Sequence, residues 1–255
     1  MEKPILIPTA EPFFFPGGET GCLLLHGFPG TPKEMRKLGE FLSEKGYSIL
    51  APRLAGHATQ PEDIRRMRWW DWLACAEDGY HLLKGASENI YLIGLSLGGV
   101  LSLLLASRFD VAGAVIMSTP YDPPDDPRIP FVNILKWIIP MINPVGSDWQ
   151  DKEAEKTNVH YPEFPSNAVI QLIDIYTQMR AAIPKVRCPT LLMHSRRDKS
   201  VSPTNMQSIY DNLGSQTKDM LWLQNSGHNL VRDVERERVF QACHHFIRGF
   251  NRSSQ

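Results

Sequence analysis

The chain has 255 residues, of which 42% are hydrophobic and 22% are charged, and this suits one large globular domain with a substantial core. Its 27 basic and 28 acidic residues give a formal net charge of -1, which argues against nucleic-acid binding and against a polybasic site for anionic lipids. The cysteines are far apart and form no CxxC pair, so neither a zinc site nor a redox motif is expected.

Location in the cell follows from the cysteines and from the apolar segments. The cysteines, which we interpret as reduced thiols of a cytoplasmic protein, are Cys22, Cys75, Cys188 and Cys243. Residues 1–15 lack a basic region followed by a long apolar run, so no signal peptide is predicted. The most apolar segment, 129–145, is interrupted by Pro130, Lys136 and Pro140, so no integral membrane segment is predicted.

Apolar runs alternate with helix-like segments in the first half of the chain. The predicted strands are 22–26, 47–51, 89–94 and 112–118, and the predicted helices are 31–45, 69–84 and 97–108. Gly27 and Pro52 end the first two strands, and Gly46 and Gly85 end the first two helices. Continuous apolar strands that alternate with helices predict a mostly parallel central sheet with helices on both faces, an α/β fold.

The alternation stops at Tyr121 and resumes after Lys185. The segment 121–185 is rich in proline and charge and shows no convincing sheet strand, so we interpret it as a helical cap or lid insertion. The later predicted elements are strand 190–194, helix 203–213, strand 220–223 and helix 231–248. The predicted core domain therefore consists of residues 1–120 and 186–255.

A serine lies in the tight turn between the strand 89–94 and the following helix. Gly94-Leu95-Ser96-Leu97-Gly98 matches G-x-S-x-G, the pattern of a nucleophile elbow. The turn exposes the serine at a helix N-terminus, where backbone amides favour negative charge, and its glycines leave room where side chains would collide. Ser96 is therefore predicted to be the nucleophile of a serine hydrolase, with a simple helix N-cap serine as the competing interpretation.

A nucleophilic serine needs a histidine base and a third group that fixes the tautomer of the histidine. Asp198 comes directly after the strand 190–194, at the carboxyl end where functional groups of a parallel sheet gather. His228 follows the strand 220–223 and has Gly227 before it. The order serine, acid, histidine is the one expected with this elbow, so we predict Asp198 and His228 as the catalytic acid and base.

Other acidic and histidine residues fit this role less well. Asp211 and Asp219 do not follow a strand end, and His194 precedes Asp198 on a buried strand, where a structural histidine is expected. The remaining histidines considered are His26 (structural), His57 (a loop residue that could line the pocket), and His244 and His245 (terminal helix).

Acyl transfer also needs backbone N–H donors for the negative oxygen of the tetrahedral intermediate. Leu97, directly after the nucleophile, is one predicted donor. Phe28, in the loop after the first strand, is the other, because Pro29 has no N–H. Phe28 and Leu97 are therefore predicted to form the oxyanion hole and to contact the substrate, although the loop taken alone is also an ordinary Gly/Pro turn.

Several stretches together resemble the bacterial carboxylesterase and monoacylglycerol lipase family of α/β-hydrolases. They are Leu23-Leu24-Leu25-His26-Gly27-Phe28, Gly56-His57, Asp71-Trp72, Gly94 to Gly99, Arg197-Asp198 and Ser226-Gly227-His228, with Pro12-Phe13-Phe14-Phe15 upstream. The resemblance implies an α/β-hydrolase fold with a small helical cap and a triad of Ser96, Asp198 and His228. It also implies an oxyanion hole from Phe28 and Leu97, no metal and no organic cofactor. The sequence departs from several relatives at Pro29 and is unmatched in the cap.

The cap bears on the substrate. In the segment 129–139, apolar residues nearly surround any helix, which predicts burial against the core, or alternatively an apolar wall of an acyl pocket. We therefore expect a small-molecule substrate, a short- to medium-chain carboxylic ester or a monoacylglycerol. Thioester, amide or C–C bond hydrolysis and acyl transfer remain alternatives, and a non-catalytic binding module is a further one. The oligomeric state stays open between monomer and dimer.

Overall fold

The computed structural model describes residues 5–127, 129–143 and 146–251. Its strands are β1 (Phe13–Phe15), β2 (Thr20–Leu25), β3 (Ser48–Ala51), β4 (Asn89–Leu95), β5 (Gly113–Met117), β6 (Met141–Ile142), β7 (Phe164–Pro165), β8 (Thr190–Ser195) and β9 (Lys218–Leu223). Its α-helices are α1 (Arg36–Glu44), α2 (Pro61–Arg66), α3 (Trp69–Lys84), α4 (Leu97–Ala106), α5 (Val132–Ile138), α6 (Lys152–Lys156), α7 (Asn167–Ala182), α8 (Thr204–Asn212) and α9 (Arg236–Asn251). Short 3-10 turns occupy Pro32–Met35, Ile129–Phe131 and Ile183–Lys185.

A central sheet organises the fold. Within the described residues, seven strands form it in the order β1-β3-β2-β4-β5-β8-β9. All neighbouring strands are parallel except β1, which runs antiparallel to β3 at the edge. The predicted mostly parallel sheet is confirmed, and β4 lies at its centre, so its carboxyl end opens between loops from both sides.

Helices cover both faces of this sheet, as the continuous apolar strands predict. Successive side chains of a strand point to opposite faces. On β2, Leu23 and Leu25 join the core with α3, α4 and α7, whereas Cys22 and Leu24 join the core with α1 and α9. Burial on both faces holds the strand ends, and the loops that follow them, in a fixed arrangement.

The edge strand β1, the helix α2 and the start of the last helix differ from the sequence prediction. The edge strand β1 was not predicted, because three residues are too few to show an alternating pattern. The last helix begins at Arg236 rather than near residue 231. The preceding residues form turns, and the Glu235 carboxylate accepts hydrogen bonds from the N–H groups of Asn225 (2.7 Å) and Ser226 (2.9 Å), which ties this segment to the end of β9.

The chain between β5 and β8, which contains the predicted insertion, carries α5, β6, α6, β7 and α7 and adds no strand to the central sheet within the described residues. Its longest helix, α7, packs against α4, while β6 and β7 form a separate two-residue antiparallel pair that was not predicted. The expected burial of the segment 129–139 is not observed for five of its large side chains, which lie on the outside although α5 contacts α7. They are Phe131 (59% exposed), Ile134 (65%), Trp137 (83%), Ile138 (72%) and Ile139 (45%). Across the described ranges, no helix has both the length and the apolar character needed to cross a membrane.

Candidate active site

Ser96 occupies the turn between β4 and α4. Its backbone has φ 56° and ψ -117°, a conformation that residues with a side chain rarely adopt. The Ser96 N–H donates to the carbonyl of Met117 at the end of β5 (2.8 Å). A strained turn that is held by the neighbouring strand presents the hydroxyl at the N-terminus of α4, as the pattern G-x-S-x-G predicts.

The glycines of the elbow are required by close packing. A Cβ on Gly98 would collide with the backbone of Leu25, and a Cβ on Gly94 would collide with the backbone of Gly98. Both colliding groups are backbone atoms, which cannot move aside as a side chain can. The sequence prediction that these two glycines keep the turn clear is therefore confirmed.

His228 and Asp198 meet beyond the ends of β9 and β8. His228 Nδ1 lies 2.8 Å from Asp198 Oδ2, and the Asp198 side chain is fully buried while that of His228 is 21% exposed. The other carboxylate oxygen, Oδ1, accepts the N–H groups of Ser200 (2.9 Å) and Val201 (2.8 Å). This geometry fixes Nδ1 of His228 as the protonated nitrogen and leaves Nε2 free to accept a proton.

A second histidine shares the same oxygen. His194 Nε2 lies 2.9 Å from Asp198 Oδ2 and 3.2 Å from the carbonyl of Val201. His194 is 1% exposed, which agrees with its interpretation as a structural core histidine. The sequence did not indicate that His194 also bonds to the predicted catalytic acid.

The charges of the two partners support each other. Burial alone would raise the pKa of the Asp198 carboxyl, but His228 and His194 together hold that pKa well below its usual range. Burial would likewise lower the pKa of the His228 imidazole, but the carboxylates of Asp198, Asp148 and Glu34 raise it above its ordinary value. Asp198 therefore stays ionised, and His228 becomes a stronger base than a free histidine.

The end of β5 connects the serine loop with the histidine loop. Met117 accepts the N–H of Ser96, and the hydroxyl of the next residue, Ser118, donates to the carbonyl of His228 (2.8 Å). Ser96 and His228 are thus attached to adjacent residues at one edge of the sheet. Among the hydrogen bonds of the described residues, none joins the Ser96 hydroxyl to His228, so the structure brings the two loops together without closing that last contact.

The loop after β2 packs against the serine. A Cβ built on Gly27 would lie 3.3 Å from Ser96 Cβ. In the described part of the chain, neither the Phe28 N–H nor the Leu97 N–H donates a hydrogen bond to a protein acceptor. Both predicted oxyanion donors are therefore available to donate to a ligand. The Phe28 ring lies edge-on to His57 (ring centroids 5.5 Å apart) and to Phe164 (5.0 Å), a residue of the insertion.

His26 and His57 are both buried behind this loop. The rings are 5.2 Å apart, and burial is the main cause that lowers the pKa of both, in the case of His57 to about 4. His26 Nδ1 bonds to the Gly27 carbonyl (2.8 Å), and its Nε2 accepts the Leu54 N–H (3.2 Å), so its predicted structural role is supported.

Glu34 is a buried acid at this site that sequence reasoning missed. Its Oε2 accepts the N–H of Gly27 (3.1 Å) and its Oε1 accepts the side-chain amide of Asn229 (3.2 Å). Glu34 thus links the loop of the predicted oxyanion hole to the histidine loop. Burial raises the pKa of this carboxyl to about 7, although the Gly27 N–H, His228 and Arg232 oppose the shift. The local sequence, with Lys33 before Glu34 and Arg36 shortly after it, gives no signal that this acid is buried.

Replacing Glu34 by glutamine is expected to change how stability depends on pH. With a folded pKa of about 7 and an ordinary unfolded value near 4.5, the folded state binds more protons between these limits, so stability falls as pH rises through them. The resulting loss in the free energy of unfolding, relative to pH values below 4.5, is largest above pH 7 and amounts to about 3 kcal/mol. Glu34→Gln removes this titration. The free energy of unfolding of the variant, minus that of wild type, should therefore increase from pH 4.5 to pH 8.

Urea denaturation at pH 5 and pH 8 measures this difference. In Glu34→Gln, the new side-chain oxygen can still accept the Gly27 N–H. The new NH2 group can donate to Asn229 Oδ1 once the Asn229 amide rotates, because that oxygen is buried without a partner among the described residues. Glu40→Gln, on the exposed face of α1, is the matched control and should follow wild type. Parallel pH curves for wild type and Glu34→Gln would contradict the expected titration.

The described residues contain no cluster of three or more His, Cys, Asp or Glu side chains that could hold a metal ion. The cysteines Cys22, Cys75, Cys188 and Cys243 are free thiols. The groups that converge at this sheet edge are a hydroxyl, an imidazole, carboxylates and backbone N–H donors, the set that acyl transfer through a serine requires.

Known proteins are similar to this chain over most of its length. A family model described as "Serine aminopeptidase, S33" matches residues 19–235. A "Thermostable monoacylglycerol lipase" of Bacillus sp. (strain H-257) is 32% identical over 249 residues, which cover 93% of this chain and 94% of the relative. A "Carboxylesterase" of Bacillus subtilis (strain 168) is 32% identical over 247 residues, 94% of this chain and 97% of the relative.

Solved structures share the fold. A chain from work on "LipS and LipT, two metagenome-derived lipolytic enzymes" superimposes with a TM-score of 0.91 at 31% identity and covers 96% of this chain and 99% of its own length. The monoacylglycerol lipase of Paleococcus ferrophilus superimposes with a TM-score of 0.78 at 18% identity, over 91% of this chain and 95% of that one. At such low identity the second comparison speaks to the fold alone.

Proposed function

We propose that this chain, which belongs to the family described as "Serine aminopeptidase, S33", is a serine carboxylesterase. It is an α/β-hydrolase related to bacterial monoacylglycerol lipases and carboxylesterases. Its proposed substrates are short- to medium-chain carboxylic esters or monoacylglycerols. The observation that carries the proposal is the hydrogen bond between His228 Nδ1 and Asp198 Oδ2 (2.8 Å), beside the strained Ser96 turn.

In the first half of the reaction, Ser96 Oγ attacks the carbonyl carbon of the ester while His228 Nε2 takes the hydroxyl proton. Asp198 holds the opposite nitrogen of the ring and stabilises the imidazolium that forms. The negative oxygen of the tetrahedral intermediate accepts hydrogen bonds from the N–H groups of Phe28 and Leu97. The carbon–oxygen bond to the alcohol then breaks, His228 returns its proton to the departing alcohol, and an acyl-serine remains.

In the second half, a water molecule takes the place of the alcohol. His228 removes a proton from the water as the water oxygen attacks the acyl carbon, and the same two N–H groups stabilise the second intermediate. Its collapse returns the proton to Ser96 Oγ and releases the carboxylic acid. Ser96 Oγ must come within hydrogen-bonding distance of His228 Nε2 for this proton to be transferred.

The proposed substrate class rests on the relatives and on the site. The two curated relatives are named for monoacylglycerol and carboxylic-ester hydrolysis and align along nearly the whole chain, the insertion included. Phe28, on the loop of the proposed oxyanion hole, and Phe164, between β5 and β8, are partly exposed, and their rings are in contact (centroids 5.0 Å apart), which forms a small aromatic surface. Such a surface favours an apolar acyl or alcohol group over a charged one.

The proposal is tested by one acyl group presented as an ester, a thioester and an amide, together with a series of p-nitrophenyl esters of rising chain length. We expect the ester to be hydrolysed with the highest kcat/KM, and the short- to medium-chain members to be preferred. A fluorophosphonate probe should add to the intact protein once, on the peptide that contains Ser96. Preference for the amide would favour peptide hydrolysis, and absence of both labelling and turnover would favour a binding module.

A further inference from the structure

A short piece of the insertion reaches into the site from outside the core. We call residues 148–151 the strap; they lie before α6. Asp148, its first residue, is 7% exposed and comes from the insertion rather than from the sheet that carries the other site residues. A carboxylate this deeply buried needs donors to offset its desolvation.

Both donors of Asp148 belong to the proposed triad loops. Its Oδ2 accepts the N–H of Lys199 (2.9 Å), the residue after Asp198, and the N–H of His228 (3.0 Å). One oxygen atom thus joins the loop of the acid to the backbone of the proposed base. It fixes the separation of the two segments that must hold the contact between Asp198 Oδ2 and His228 Nδ1.

The histidine loop is shaped to receive this carboxylate. A Cβ on Gly227 would collide with the Asp148 carbonyl and would lie 2.6 Å from Asp148 Oδ1. The absence of a side chain at Gly227 therefore allows the strap to pack directly against the backbone of the histidine loop. The sequence argument that this glycine lets the loop turn towards the site did not foresee such an approach.

A second buried acid anchors the strap on the same loop. Asp233 is fully buried, and its carboxylate accepts the N–H groups of Gln150 (3.1 Å), Asp151 (2.7 Å) and Gly227 (2.6 Å). The strap and the histidine loop are thus held through a common carboxylate. Asp148 is therefore fixed relative to His228 both by its own hydrogen bond to the His228 N–H and by the bonds of the following strap residues to Asp233.

We propose that Asp148 is a positioning residue for His228, by which the insertion aligns the proposed base with its acid. The proposal rests on the proposed function, because it assigns Asp148 a part in aligning that same site. Asp148 touches no reacting atom; it acts through the backbone of the acid loop and of the histidine loop, and through its charge.

The charge of Asp148 provides a readout that a purely structural role would not move. The groups that bear on the His228 imidazole are Asp198, Asp148 and Glu34 directly, His194 through Asp198, and Arg232 through Glu34. Burial lowers the pKa of His228 while the three carboxylates raise it. Loss of one negative charge must therefore lower that pKa.

Asp148→Asn separates the charge from the hydrogen bonds. The asparagine oxygen can accept both N–H groups, so we expect the plateau kcat at alkaline pH to stay near wild type. The pKa of His228, followed by NMR titration of its imidazole with His228→Gln to assign the signal, should fall by about half a unit or more. The acid limb of kcat/KM should move to lower pH by the same amount.

Asp148→Ala removes the acceptor as well as the charge. Two buried N–H groups lose their partner, and we expect kcat to fall about 100-fold with KM little changed, because misplacement of a catalytic group by about 1 Å costs that much. Asp151→Asn is the matched control: it removes a charge from the same strap, at the cap of α6, without touching either triad loop. Its pH profile should match wild type.

The proposal fails if the His228 signal of Asp148→Asn titrates as in wild type, or if Asp148→Ala retains the wild-type kcat. The NMR titration does not depend on turnover, so it tests Asp148 even if Ser96 is not labelled and no ester is hydrolysed. Failure of the proposed function is thus distinguishable from failure of this inference. If Asp148→Ala does not fold, Asp148→Asn alone decides.

Discussion

Ser96→Ala is expected to lower kcat for a p-nitrophenyl ester by about a million-fold, the scale found when the nucleophile of a serine hydrolase is removed. The variant cannot form the acyl-enzyme, and it should no longer react with a fluorophosphonate. Residual activity above the rate in water would come from the N–H donors of Phe28 and Leu97 and from substrate binding.

The fold should tolerate this change. In the described residues the Ser96 hydroxyl makes no hydrogen bond, so alanine leaves no buried partner unsatisfied, and the backbone at φ 56° is equally strained for serine and alanine. Melting temperature by calorimetry should stay within a few degrees of wild type. Ser107→Ala, at the far end of α4, is the control and should keep full activity and labelling. Full turnover by Ser96→Ala would show that Ser96 is not the nucleophile.

Asp198→Asn is expected to lower kcat by about ten-thousand-fold, the cost of leaving the base in the wrong tautomer. The reason lies in the two oxygens of this carboxylate. Oδ2 faces His228 Nδ1 and His194 Nε2, while Oδ1 accepts the N–H groups of Ser200 and Val201. An asparagine has one oxygen and cannot serve both sides.

Either orientation of the asparagine amide is unfavourable. If its oxygen stays with the Ser200 and Val201 amides, its NH2 group faces two histidine nitrogens and forces His228 to carry its proton on Nε2, where it cannot act as a base. If the amide rotates, two backbone N–H groups are left facing donors. Kinetics at pH 8 and the NMR tautomer of His228 measure the outcome. Asp211→Asn, an exposed acid of α8, should behave as wild type, and a similar loss in both variants would contradict the assignment.

Much of the fold could be predicted because local pattern and tertiary structure agree. The apolar runs of β2 and β4 form strands buried on both faces, and the G-x-S-x-G turn has the strained backbone that its glycines suggest. The contact between Asp198 and His228 followed from a general property of parallel sheets, that residues after strand ends converge at one edge. Their catalytic roles remain predictions.

The residues that escaped prediction are polar groups whose partners are distant backbone amides or side-chain amides. Asp148 bonds to the N–H of His228, 80 positions away, and Glu34 bonds to the side-chain amide of Asn229, 195 positions away. No spacing or period marks such a residue, because its role depends on how two loops meet in space. The exposed side chains of α5 escaped for a related reason: apolar periodicity indicates a helix but does not say which neighbour covers it.

The strap limits where this enzyme can be recombined with its relatives. A chimaera that exchanges everything between β5 and β8 to alter acyl preference would discard Asp148 and the backbone amides that Asp233 holds. Its inactivity could then be mistaken for a poor acyl pocket. Crossover points placed beyond residue 151 would keep this anchorage and let the remainder be varied for substrate choice alone.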